Sequence, residues 1–177
     1  MNRSKNCVFL SHCMLAQAVR ANGLAKNFPA AIKPVVQFCL DNDINMMQMP
    51  CPEMNCLAGG LDREPHGKTW YEKNGLRKTS SNIAKTQVAY MNDLVINGFN
   101  ILAIIGIEFS PACAPEYLNK GPTITKDQGI YIEELKKELE KKKLNIKFLG
   151  VNTRWHKKLK RDLDALLFSN VASESSL

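Results

Sequence analysis

Four short segments of this chain are apolar almost without interruption: CVFLS at 7–11, INMMQMP at 44–50, NILAIIGIEF at 100–109 and LNIKFLGV at 144–151. A strand with one wet face alternates apolar and polar residues, whereas a strand covered on both faces does not need to. Helical patterns separate the four segments. Residues 29–41 place Ile32, Val35, Val36, Cys39 and Leu40 at helical spacing, and 80–97 opens on Thr-Ser-Ser-Asn and closes on Asn97-Gly98. Stretches 128–143 and 155–168 are amphipathic. Strand and helix alternating at this rhythm predict βαβ crossovers and a parallel sheet. The expected fold is a single three-layer α/β (Rossmann-like) domain over residues 1–168. Its sheet is mostly parallel with at least four strands, and 169–177 form a flexible polar tail. Residues 56–78, rich in Gly, Pro and charge, read as one long loop, and long loops in compact domains are usually functional.

The longest strongly apolar run, ILAIIGI at 101–107, is too short to span a bilayer, and the N-terminus does not resemble a signal peptide. We therefore expect a cytoplasmic protein with no membrane partner. Six cysteines in 177 residues are too sparse for a disulfide scaffold. In a reducing compartment they point to a metal or to catalysis. The formal net charge of +7 leaves room for an anionic partner, RNA included. Much of the excess lies in KKELEKKK (136–143) and RWHKKLKRD (154–162), runs that read as solvated helix faces.

Three cysteines hold equivalent places. Cys13 follows the first strand, Cys51 the second and Cys113 the third. All strands of a parallel sheet point their carboxyl ends to one edge, where ligands bind. Three thiolates meeting there make a soft-metal site, iron–sulfur or zinc. Cys7 and Cys39 read as core residues. Cys56 is open between a fourth ligand, a spare thiol and a packed residue.

Several motifs resemble a known family. CMLAQAVRANG (13–23) is similar to the C-L-L-G-x-x-x-R-Y-D-G opening of the 2-thiouracil desulfurase family, and PCPEMNCLAGGL (50–61) to its P-x-C-P-E-x-x-G-G-L segment with a small insertion. FSPACA (109–114) resembles its x-S-P-S-C-G segment, and 129–150 its closing helix and strand. The resemblance implies a [4Fe-4S] cluster bound by Cys13, Cys51 and Cys113, one iron being free of protein ligands. It implies Glu53 and Ser110 as catalytic side chains, and a small thiolated pyrimidine as substrate, its sulfur released as sulfide without net redox change. Arg20, Gly59, Gly60 and Arg63 are candidate substrate contacts. Three protein ligands suit catalysis because they leave a coordination position open. Glu53, two residues beyond Cys51, is placed to act as general base or proton shuttle.

The chain also departs from the family pattern. Cys56 enters through the insertion, Ala16 replaces a glycine, and Ala21-Asn22 replace Tyr-Asp. Arg63, His66, Lys68, Trp70, Tyr71 and Arg77 cluster in 56–78. They fit either a lid over the site or a surface that stacks on bases and holds phosphates, which keeps tRNA among the expected partners. His12 reads as a turn cap or a donor to cluster sulfur, and His156 as a surface residue. If Cys56 closed the cluster, the protein would be an electron carrier or sensor. A structural zinc domain that binds RNA or protein is the other alternative. The oligomeric state is not legible.

Overall fold

The computed structural model describes residues 2–56, 59–152 and 158–166. Four strands form a parallel sheet: β1 (Asn6–Ser11), β2 (Asn45–Met49), β3 (Asn100–Ile107) and β6 (Phe148–Val151), in the order β2-β1-β3-β6. This is the α/β class expected from the four apolar segments.

Alternation along β1 shows why the central strands need no polar face. Cys7 and Phe9 belong to one core with Ile104 of β3, beneath α5 (Leu76–Ile96) and α6 (Ile130–Lys141). Val8 and Leu10 belong to a second core with Ala103 and Ile105, beneath α2 (Lys33–Asp41) and the helical residues 158–166. Helices thus cover both faces, and β1 and β3 are buried over nearly their whole length. The edge strand β2 differs: Met46 and Met47 are half-buried and Gln48 is exposed, since it has a neighbour on one side only.

Several boundaries differ from the sequence reading. Helix α2 starts at Lys33 rather than 29, and β6 occupies only the last part of 144–151. The stretch 56–78 is not one loop, because α4 (Lys68–Lys73) lies within it and α5 begins at Leu76. Thr-Ser-Ser-Asn is therefore interior to α5 and caps nothing. Thr79 Oγ1 donates back to the Gly75 carbonyl at 3.4 Å, the bond a helical threonine can make one turn behind itself. The helix entry is Gly75, whose φ of +90° turns the chain between α4 and α5.

Short helices α1 (His12–Leu15) and α3 (Pro52–Asn55) follow β1 and β2 directly. Strands β4 (Tyr117–Lys120) and β5 (Thr123–Lys126) form an antiparallel hairpin that turns at Gly121, φ +61°. Trp155, His156 and the tail 169–177 lie outside the described residues.

Candidate metal centre

Register brings two of the cysteines level. Ser11 pairs with Met49 across β1 and β2, and Cys13 and Cys51 each lie two residues beyond that pair. Cys113 returns to the same rim because the 110–115 loop folds back over the end of β3. Its carbonyl packs on Gly106, where a Cβ would fall on Cys113 O and the Pro115 ring. On the other side α6 docks onto the loop, and the backbone N–H groups of Ile130 and Tyr131 donate to Pro111 O and Ala112 O at 2.9 Å. Gly129 permits this approach, since a Cβ there would meet the Ala112 carbonyl.

All three cysteines line one cavity of about 560 Å³ at the carboxyl ends of the strands, together with Ser11, Arg20, Glu53, Arg63, Tyr71 and Ser110. The strand order reverses between β1 and β3, so the cavity sits at the switch point where open parallel sheets bind ligands. Burial pushes the Cys13 thiol up to about 12; Cys51 and Glu53 add to the rise, and Arg20 opposes it. Cys113 rises well above the ordinary thiol range, first through burial and then through the charges of Cys51, Cys13 and Glu53. Burial and then Glu53 raise Cys51, while Arg63 lowers it. The three groups therefore interact with one another, and each is a neutral thiol at neutral pH until a cation displaces its proton.

The donor set is soft, as iron–sulfur or zinc chemistry requires. Among the described residues, no three His, Cys, Asp or Glu side chains converge closely enough to hold a single metal ion.

Beside the thiols runs a buried polar chain. Arg63 Nη2 stands 3.3 Å from Glu53 Oε2, with side chains 4% and 11% exposed. The Ser110 hydroxyl donates to Glu53 Oε1 at 3.0 Å. Ser110 Oγ in turn accepts from the N–H groups of Ala112 at 3.2 Å and Cys113 at 3.0 Å. Ser110 therefore both shapes the turn and links the Cys113 loop to Glu53. Glu53 is set by α3, which has Pro52 in its first turn and is closed by Asn55 Nδ2 donating to Cys51 O at 2.8 Å. Arg63 also donates to Gly60 O at 2.9 Å, and Asn22 holds its segment through Asp62 O at 3.1 Å and Glu64 Oε1 at 2.9 Å.

The structure gathers Cys13, Cys51, Cys113, Glu53, Ser110, Arg20 and Arg63 around this cavity, and it places three other candidates elsewhere. Gly59 and Gly60 pack against α3, where a Cβ on Gly59 would collide with the carbonyls of Glu53 and Met54. Close approach is the role of Gly59, whereas Gly60 has open space around it and turns the chain at φ +108° while its N–H donates to Met54 O at 3.2 Å. Cys56 is buried in the core beneath α5, and its thiol donates to Glu53 O at 3.3 Å. In the 63–77 cluster, Lys68 pairs with Asp127 and Glu133, and Arg77 with Glu72, Glu133 and Glu134. Trp70 stacks on His66 at 3.6 Å, and Tyr71 is buried. Most of that cluster fastens α4 and α5 to α6. His12 lies on the cavity wall.

Sequence reasoning missed Glu108, a buried carboxylate on the wall that accepts from Tyr117 N at 2.9 Å. It also missed Tyr131, whose position in a helical pattern marks it only as core.

No protein-family profile matches the chain. It is 31% identical over 145 residues to uncharacterized protein MJ0003 of Methanocaldococcus jannaschii, a match covering 82% of this chain and 85% of that protein. The chain belongs to the family of that protein. Among solved structures, that of the [4Fe-4S]-dependent thiouracil desulfidase TudS aligns with a TM-score of 0.46 at 18% identity, over 82% of this chain and 90% of the other. No described helix is long and apolar enough to cross a membrane.

Proposed function

We propose that this chain is a [4Fe-4S]-dependent desulfidase that replaces the sulfur of a thiolated pyrimidine with oxygen. The observation that carries the reading is the meeting of Cys13, Cys51 and Cys113 with the Arg63–Glu53–Ser110 chain in one cavity. The motifs around these residues, which resemble the 2-thiouracil desulfurase family, agree with it. Cys13, Cys51 and Cys113 would hold the cluster. With three protein ligands the cluster supplies an open iron, a Lewis acid with affinity for sulfur.

The other residues position and move protons. Glu53, oriented by Arg63 on one oxygen and Ser110 on the other, takes a proton from the attacking water and returns it to the departing sulfur. The balance is thiocarbonyl plus water giving carbonyl plus hydrogen sulfide, with no change of oxidation state. Arg63 holds the carboxylate through an ion pair that water cannot easily replace, since both side chains are buried. Burial and Glu53 push Tyr71 up to about 12, so its hydroxyl stays a donor across the neutral range. The Cys56 thiol, spent on the Glu53 carbonyl, supports an open centre over the electron-carrier alternative.

The test is anaerobic reconstitution, iron and sulfide quantification, a visible spectrum, and then addition of 2-thiouracil or thiouridine-containing tRNA. Four irons, a broad band near 400 nm and release of the oxygenated pyrimidine are expected. A chain that takes up zinc but no iron, or a cluster inert toward both substrates, overturns the proposal.

A further inference from the structure

Two hydroxyls beneath the cysteines have no hydrogen-bond partner. Tyr131 Oη and Ser11 Oγ are both buried and unsatisfied, and their residues are 0% and 2% exposed. Leaving a buried hydroxyl unpaired is costly, and a group kept so generally awaits an acceptor. The surroundings identify one. Tyr131 sits in the first turn of α6, pinned through its own backbone to Ala112, next to Cys113. Tyr131 packs in the same core as Cys113, and burial first, then the charges of Cys113 and Cys51, raise its hydroxyl. Ser11 ends β1, lines the cavity and turns its hydroxyl toward the Cys113 thiol, a contact that lowers the Cys113 pKa. A neutral thiol is a weak acceptor, whereas a thiolate is a strong one.

We propose that Tyr131 and Ser11 are positioning residues that donate hydrogen bonds to the sulfur of Cys113 in its charged, metal-binding form. Neither hydroxyl is used up by another group of the described chain, so both are free to donate to a ligand thiolate. The inference rests on the three-cysteine centre proposed above, and it deepens that reading by naming the outer donors that hold a ligand sulfur. Such donors stabilise the bound metal and withdraw charge from sulfur, which raises the reduction potential.

Tyr131→Phe and Ser11→Ala each remove one hydroxyl and little else. Both variants and the wild type are reconstituted anaerobically, with iron counted, loss to a chelator timed and the midpoint potential titrated. The iron-free forms are melted in parallel. The expected result is cluster loss roughly tenfold faster in each variant, a more negative midpoint, and an unchanged or higher Tm for the iron-free chain. That reversal of sign between loaded and iron-free protein is one a purely structural role would not give. A wild type that loads, with variants matching it in loss rate and midpoint, overturns this inference and leaves the desulfidase reading standing. A wild type that takes up no iron overturns both.

Discussion

Glu53 is the residue on which the site turns, and its partners differ in what their loss would do. Arg63 and Glu53 form a buried ion pair, and removing one member of such a pair leaves the other charge uncompensated. Arg63→Ala should destabilise the chain by about 3 kcal/mol, and adding Glu53→Gln should recover part of that loss. Urea unfolding of the two single variants and the double variant measures it. If the costs of the two single changes simply add in the double, the pair is not coupled. Ser110→Ala acts elsewhere: it removes the acceptor for two loop amides and one donor to Glu53. A cost of roughly 1–3 kcal/mol is expected for the unmet backbone groups.

At the scale of elements, the Cys113 loop is clamped between the end of β3 and the start of α6, with a glycine on each side. Gly106 and Gly129 both have negative φ, so a substitution there tests space rather than backbone conformation. Gly106→Ala would set a methyl group against the Cys113 carbonyl. It should lower stability by about 1–3 kcal/mol through overpacking. Under the proposed function iron retention should fall as well, because the loop that carries Cys113 must move. A variant as stable and as well loaded as wild type would show that the loop yields freely.

The same elements explain what the sequence discloses. Buried strands must be apolar, so β1 and β3 stand out; ligands come from the loops after strands, so Cys13, Cys51 and Cys113 stand out with them. The hairpin of β4 and β5 leaves no such mark, because only Leu118 in it is buried and its other positions stay wet or half-wet. The start of α5 is hidden for another reason. Thr and Ser can bond their own helix as readily as cap it, so a hydroxyl run fixes no boundary. Tyr131 and Glu108 are invisible because their roles depend on neighbours distant in sequence. Arg63 was legible as a basic residue near the motif, but its bond to Glu53 needed the fold.

For the molecule as a whole, partnered carboxyl groups pull stability in opposite directions as pH changes. Burial raises Glu108 despite the two amides that favour its charged form. The folded chain then binds this proton where the unfolded chain has released it, so unfolding free energy falls as pH climbs above the ordinary Glu range. Asp127 and Glu134 are lowered by their lysine and arginine partners, although burial opposes this, and their contribution is lost as pH falls. Glu108→Gln should flatten only the alkaline-going loss and raise stability near neutrality, as urea melts from pH 4 to 8 would show. A variant whose profile runs parallel to wild type would mean that Glu108 is ionised without penalty.

The three cysteines stand on three different strand ends, at positions 13, 51 and 113. A ribosome delivers the first two early, and they wait as bare thiols until β3 has paired beside β1 and carried the third to the rim. If the three thiols hold the proposed centre, no local stretch of the growing chain can assemble it, and the centre is the last thing the fold completes. The proposed centre would thus report on completed folding: a chain that fails to pair β3 beside β1 cannot bring its three thiols to one rim.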